Sequence, residues 1–477
     1  MLEKNKKFCI NKDLINSKKN IILITLDAFN FHIFENNIDF LPNFKKLKKT
    51  GIYFNNAFSI GPMTPFSFPG IIGSIYPYSY GIGISENIET IDSILKKQGY
   101  NTAFINEAQG FLTSFFGYCK DFDYYKDFLE YSYDKIDRNF LKDNLSQSKN
   151  QSGSRERRFL IKIHNILGDE PKKFINFLTT YLSNNYDKYK NRKLLHEYFC
   201  TGILDFLTNK FKSPQFLWIH TIVNHLPYLP PDTNNIPERK INYLNCRGIS
   251  RFLNYNTAQK LKYVFTESLI TTDNLIGKIM ECMNENNLLN DSIMIITSDH
   301  GEEFMENGYF GHGVESSSDT LLRIPIIFYC PNIFKNKVIS EPVSTLDILP
   351  TVTDILNING SINAQGLSLK KLLLNDSDDE NIREKFIFRP LFSESWQYRN
   401  KLNRSPGYKS KDRIFTIRYY KYKLKVRQMI DDNDILNERY MLMNWVENRR
   451  LLINKNKILF NELKTMLDKH LTEQIMN

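Results

Sequence analysis

Cysteine is scarce in this chain and never closely paired. Six cysteines stand among 477 residues (Cys9, Cys119, Cys200, Cys246, Cys282 and Cys330), with no CxxC pair. That spacing argues against a cysteine-built zinc site and against a disulfide framework. Long apolar runs are missing too: no stretch of about 18 apolar residues occurs, so no membrane span is expected. The opening segment, MLEKNKKFCINKDLINSKKN, is too polar for a secretory signal. A reducing cytoplasm is therefore the expected compartment. Charge of one sign does not dominate either. The net charge of +10 comes from 63 basic and 53 acidic residues, with lysine spread among Asn and Ile. This argues against nucleic acid as a partner and suits an anionic substrate or surface.

The length accommodates one large α/β domain with an appendage, or two to three domains. Apolar strand-like runs alternate with amphipathic segments. IILITL (21–26), IYFNNAFS, NTAFIN, PQFLWIHTIV (214–223), SIMIIT and LLRIPIIFYCP (321–331) read as strands. LPNFKKLKKTG (41–51), IETIDSILKKQGY (88–100) and the long TAQKLKYVFTESLITTDNLIGKIMECMNENN (257–287) read as helices, the first two closed near a glycine. The expected fold is a three-layer α/β sandwich with a mostly parallel central sheet. A helical insertion is expected at about 125–212, with a polar loop around Ser146 to Arg157. Beyond about residue 385 the aromatic-rich RIFTIRYYKYKLKV and a terminal helix form a small C-terminal subdomain. The expected boundaries are 18–375 for the main domain and 385–477 for the subdomain.

In such sheets a ligand sits beyond the carboxyl ends of the strands. The chemically interesting residues follow strands. Asp27 follows IILITL, Asp299 and His300 follow SIMIIT, and His225 follows PQFLWIHTIV. Asp with Asp-His is an oxygen and nitrogen set for one divalent ion, Mn²⁺ or Zn²⁺ ahead of Mg²⁺ or Ca²⁺ because of the imidazole. His312 lies further on in the glycine-flanked GYFGHG. Thr64, in GPMTPFSFPGIIGSIYP, follows the strand IYFNNAF. Thr64–Pro65 suits a helix start, with Thr as N-cap and Pro at N1. Pro69 would cost that helix a hydrogen bond, so a start near Ser67 is the alternative. A threonine hydroxyl needs a metal or a base to become a nucleophile. Each residue also has a plainer reading: Thr64 as a helix cap alone, Asp27 as a capping carboxylate, SDHGE as a self-bonded turn, His225 and His312 as loop histidines. His32 and His220 read as packing or supporting residues, and His164, His196 and His470 as packing or surface residues of helices.

These segments together resemble the sulfatase family of the alkaline phosphatase superfamily over most of residues 20–375. NIILITLDAF, TPFSFPGIIGSIYP, FLWIHTIVNHLPYLPP, SIMIITSDHGEEF, GYFGHG and VSTLDILPTVTDIL carry the resemblance. It implies that Thr64 stands where the family's catalytic Cys or Ser opens a Cys/Ser-x-Pro-x-Arg motif. Phe66 then replaces the Pro, and Phe68 the Arg. Sulfatases convert that Cys or Ser to formylglycine, an aldehyde that Thr cannot give. A Thr nucleophile is similar to the phosphotransferase branch, such as lipoteichoic acid synthases and phosphoethanolamine transferases. The resemblance further implies that Asp27, Thr64, Asp299 and His300 hold the metal, with Ala28 in place of a second acid. It places His225 on the substrate or leaving group and His312 where a substrate-binding Lys often stands. The expected function is metal-dependent phosphoryl-type transfer, as hydrolase or transferase, on a phosphate ester or diester that is glycan- or lipid-linked. The alternatives are sulfuric ester hydrolysis and a non-catalytic relative that kept the fold for binding.

Overall fold

The computed structural model describes residues 18–128, 188–231, 240–241, 244–245, 253–358, 362–374, 379–397, 406–431 and 434–476. Along the chain the first six strands are β1 (Asn20–Leu26), β2 (Ile52–Phe58), β3 (Asn101–Asn106), β4 (Tyr124–Asp127), β5 (Gln215–Thr221) and β6 (Ser292–Ser298). Next come β7 (Glu303–Phe304), β8 (Phe310–Gly311), β9 (Arg323–Tyr329), β10 (Lys337–Ile339) and β11 (Val343–Ser344). The last five are β12 (Leu391–Trp396), β13 (Asp412–Tyr419), β14 (Tyr422–Asp431), β15 (Asp434–Asn444) and β16 (Arg449–Leu451).

The main sheet runs β10-β2-β9-β6-β1-β5-β3-β4, with β11 also paired to β2. Its pairings are parallel except around β9, which runs antiparallel to both β2 and β6. β1, β5 and β6 are buried along their whole length, so their near-continuous apolar sequences are those of central strands. Alternate residues face opposite layers. Ile21 and Leu23 join one core, and Ile22, Ile24 and Leu26 the other. The second core is covered by the helices Pro42–Thr50, Lys188–Asp205 and Tyr255–Glu285. The first core lies under the helices Thr64–Gly73, Ile91–Lys97 and Ile348–Ile355. It also takes in Phe415, Leu424, Val426 and Leu442 of the antiparallel sheet β12–β16, and Leu463 and Leu467 of the helix Lys457–Met476. The expected sandwich and small C-terminal sheet are therefore present, and they share one core.

Two expectations need correction. Residues 124–127 form a strand where a helical insertion was expected to begin. Most of that insertion, including the loop near Ser146 to Arg157 and His164, lies outside the described residues; its last part is the helix Lys188–Asp205. The helix near Thr64 starts at Thr64 itself, not near Ser67. Its N-cap is Met63, which makes no side-chain cap bond. Pro65 falls in the first turn, Pro69 is accommodated within the helix, and the threonine hydroxyl is left for other partners. Among the described residues no helix is long and apolar enough to cross a membrane.

The Thr64 helix is fixed from its far end. Ser74 Oγ donates to the Leu346 carbonyl at 2.7 Å, and the Ser344–Asp347 turn is closed by a capping box. Asp347 is fully buried and meets the Arg389 guanidinium through two bonds of 2.8 and 2.6 Å. Removing one partner leaves a buried charge unpaired, which costs about 3 kcal/mol or more. Asp347→Ala should lower unfolding stability by about that much in urea titration; an unchanged midpoint would show that the pair does not hold this turn.

Candidate active site at the sheet edge

At the end of β1 the backbone makes a tight turn. Ala28 has φ 58°, a left-handed conformation that an alanine adopts only when its surroundings impose it. The turn leaves Asp27 beyond the strand and aims the Ala28 N–H at Asp299 Oδ1, 3.2 Å away. β6, the immediate neighbour of β1, ends at Ser298, so Asp299 and His300 emerge beside Asp27. His300 Nδ1 lies 2.8 Å from the Gly301 carbonyl oxygen. A carbonyl only accepts, so Nδ1 carries the proton and Nε2 presents its lone pair to the site. Gly301 is needed here, because a Cβ would come within 2.1 Å of the Thr320 carbonyl oxygen.

His300 Nε2 is 3.6 Å from Asp27 Oδ1, 3.4 Å from Asp299 Oδ2 and 3.4 Å from Thr64 Oγ1. Asp27, Asp299 and His300 each offer one donor atom, all within 4.8 Å of one another and all fully buried. Asp27 Oδ1 and Asp299 Oδ2 have no hydrogen-bond partner. Buried carboxylate oxygens without partners are costly, and two adjacent anions more so. Burial and the Asp27 charge hold the Asp299 carboxyl well above its usual range. Asp27 stays below its range: burial opposes this, but His225 and the contact with His220 outweigh it. The two acids therefore share a proton between them. Burial, then His312, pushes the His300 imidazole down to about 3, so it is neutral and free to ligate. Two orphaned acid oxygens and an imidazole lone pair converging on one point fit a divalent cation.

Gln109 closes the set and was not foreseen from sequence. It follows β3, and its side-chain amide donates to Asp27 Oδ2 and lies 3.5 Å from Thr64 Oγ1. Its main chain is pinned by Asn106 Oδ1, which accepts from the Gln109 N–H at 3.0 Å. Nothing in the sequence around NEAQGF marks this glutamine; only the pairing of β3 with β5 brings it to the edge. His220, expected to be supporting, places Nε2 3.5 Å from Asp27 Oδ2, while its Nδ1 lies 2.9 Å from Thr25 Oγ1.

His225 and His312 stand over this group. Their ring centroids are 5.0 Å apart, and that of His312 is 4.5 Å from His300. His225 Nδ1 lies 2.7 Å from the Leu226 carbonyl oxygen, so Nε2 is its free nitrogen. His312 Nδ1 is 3.1 Å from Glu302 Oε1, a second residue missed from sequence. Glu302 is fully buried, and that burial pushes its carboxyl up to about 8. The loop after His312 is gripped by the C-terminal sheet. Ser395 Oγ donates to the Val314 carbonyl at 3.1 Å, and Lys423 Nζ to the Ser317 carbonyl at 2.9 Å and to Asp319 at 2.6 Å.

The aromatic substitutions near Thr64 are packed, not exposed. Phe66 meets Trp396 edge-on at 4.6 Å, and Phe68 meets His220 edge-on at 5.1 Å. Phe68 therefore presents no cation to the site and instead buttresses the imidazole beside Asp27. His196 and His470, expected as packing or surface residues, are both buried against carboxylates, Glu107 and Glu394 respectively, each at 2.8 Å.

The chain matches the family described as Sulfatase over residues 19–358. It belongs to the sulfatase family. Among curated relatives, arylsulfatase K of Gallus gallus is 36% identical over 109 residues, covering 23% of this chain and 20% of the relative. An arylsulfatase of Clostridium perfringens (strain 13 / Type A) is 27% identical over 195 residues, covering 36% of this chain and 40% of the relative. These matches thus span well under half of the curated relatives. Among solved structures, the phosphonate monoester hydrolase of Agrobacterium radiobacter has a TM-score of 0.64 at 14% identity, covering 95% of each chain. A structure in complex with D-glucosamine-2-N,6-O-disulfate has a TM-score of 0.62 at 15% identity, covering 97% of this chain and 99% of the other. At these identities the structures establish a shared sulfatase-family fold.

Because Asp299 holds a proton without a cation, metal binding must release it. Affinity for Mn²⁺ or Zn²⁺ should rise with pH, by up to about tenfold per pH unit for as long as Asp299 keeps its proton in the metal-free protein, measured by titration calorimetry. A pH-independent affinity would mean that the ion does not bind at Asp299.

Proposed function

We propose that this sulfatase-family protein is a metal-dependent hydrolase or transferase that acts on a phosphate ester or phosphodiester, with Thr64 as nucleophile. The observation that carries the reading is the Thr64 hydroxyl, buried and 3.4 Å from His300 Nε2, beside two unpartnered carboxylate oxygens. Asp27, Thr64, Asp299 and His300 would hold one divalent cation. When bound, that cation supplies Lewis acidity, favouring alkoxide over hydroxyl and offsetting the charge of an anionic ester.

The chain's own residues account for the rest. Gln109 orients Asp27 and, through its reach to Thr64 Oγ1, keeps the hydroxyl at the sheet edge. Thr64, its hydroxyl proton released to solvent, attacks the phosphorus in line and forms a phosphothreonine ester, and the leaving alcohol departs on the opposite side as its P–O bond breaks. Burial lowers the His225 imidazole below its ordinary value, and an incoming anion offsets that burial. Once the anion is bound, His225 Nε2 takes up a proton from solvent, gives it to the departing oxygen, and then takes one from the water or acceptor alcohol that opens the phosphothreonine. His312 donates a hydrogen bond to the transferring group. The permanent cation of the family's arginine position is absent, since Phe68 stands there. The imidazoles of His225 and His312 would face the anion's charge instead.

A phosphorylated glycan suits the reading as substrate, since one neighbour of the same fold was solved with an anionic sugar ester, a disulfated glucosamine. A second reading, sulfuric ester hydrolysis, is favoured by the name arylsulfatase on the curated relatives. Thr64 forms no aldehyde hydrate, so that route would use Thr64 or water directly.

Turnover of aryl phosphates, phosphodiesters and aryl sulfates in parallel separates the two readings. Intact-protein mass spectrometry after mixing with a diester should show a covalent phosphate adduct on the Thr64 peptide. Thr64→Ala should lose the adduct and reduce kcat by about 10³-fold or more while still binding the ion. Full activity in Thr64→Ala would end the nucleophile assignment. Stoichiometric metal without turnover on any ester would leave a binding protein.

A further inference from the structure

Glu107 lies just past the end of β3, where its N–H donates to the His220 carbonyl at 2.9 Å. It is fully buried, and its hydrogen bonds and ion pairs run to His196, Arg192, Thr221 and Ile222. Oε2 accepts from Thr221 Oγ1 at 2.5 Å and from the Ile222 N–H at 3.0 Å, where the chain leaves β5. Oε1 lies 2.8 Å from His196 Nδ1 and 3.6 Å from Arg192 Nη1, both on the helix Lys188–Asp205. Arg192 Nη2 donates to the Ile222 carbonyl, and the same oxygen accepts the His225 N–H at 3.0 Å. In the other direction along the chain, Glu107 leads through Ala108, held at φ 70°, into Gln109.

The group is ionised. Burial alone would raise the Glu107 carboxyl, but His196 and Arg192 hold it at about 2. Burial would likewise lower His196, yet Glu107 raises it to about 10. Buried ion clusters of this kind rarely stabilise a fold more than apolar packing would. What this one does is brace two loops at once, the one bearing Gln109 and the one bearing His225. The helix supplying its cations is the described end of the segment between β4 and β5.

We propose that Glu107 is a positioning residue that acts through His225, with Arg192 and His196 locking it in place. The inference rests on the proton-donating role given to His225 above. A mispositioned acid hurts esters whose alcohol needs a proton to leave and spares those whose alcohol does not. Loss of folded protein lowers both equally. The test compares 4-nitrophenyl and phenyl esters of the acid that the protein turns over. Glu107→Gln should reduce kcat/KM, which reports phosphothreonine formation and not its later opening, about tenfold or more on the phenyl ester and less than about threefold on the 4-nitrophenyl ester. Added to His225→Ala, it should cause no further selective loss. If Glu107→Gln fails to fold, His196→Gln carries the test with the same expected pattern. Equal losses on both esters, with His225→Ala still selective, overturn the positioning role alone. Equal losses in His225→Ala overturn the acid role and the positioning role together.

Discussion

Two carboxylates buried side by side, with oxygens that no protein group satisfies, are the constraint around which this molecule is arranged. At about 4 Å and an effective dielectric of about 20, two such charges repel by about 4 kcal/mol, before any cost of removing them from water. The fold tolerates Asp27 and Asp299 together because β1 and β6 are adjacent parallel strands of matched register, ending at Leu26 and Ser298. One proton shared between them relieves the repulsion, and a divalent cation relieves it more completely. The strained turn at Ala28, the close approach of Gly301 to Thr320 and the fixed tautomer of His300 all follow from holding these groups at one point.

The rest of the architecture brings other groups to that point from separate layers. The first core carries the helix that starts at Thr64, and the turn containing Asp347 supports it. The C-terminal sheet grips the segment after His312 and supplies Trp396 to pack on Phe66. On the opposite layer the helix Lys188–Asp205 reaches the loops of Gln109 and His225 through one carboxylate. The reacting edge is thus assembled from parts far apart in sequence, and neither layer builds it alone.

Much of this was legible in the sequence, for a definite reason. Asp27, Asp299 and His300 follow short, mostly apolar runs rich in isoleucine, and such runs alternating with amphipathic helices read as central strands whose ends meet. Thr64 was legible through the family resemblance of TPFSFPGIIGSIYP, although its backbone role was not: Met63 is the N-cap, and the hydroxyl is spent on the site. Gln109, Glu302 and Glu107 were illegible because each acquires its role from strand pairing or from a helix some ninety residues away, and no local pattern records that. His196 and His470 read as ordinary helical histidines, since a buried carboxylate partner 89 or 76 residues distant leaves no local trace. The antiparallel sense of β9 was equally hidden, because a fully buried run looks alike in either direction.

What occupies the space between the two acids decides whether this edge can do chemistry. The most direct measurement is a crystal structure of the protein soaked in Mn²⁺, with anomalous data collected near the manganese edge. One strong anomalous peak is expected in contact with Asp27, Asp299, His300 and Thr64 Oγ1. A peak only elsewhere on the molecule, or a water-filled gap at this edge under saturating Mn²⁺, would contradict that expectation.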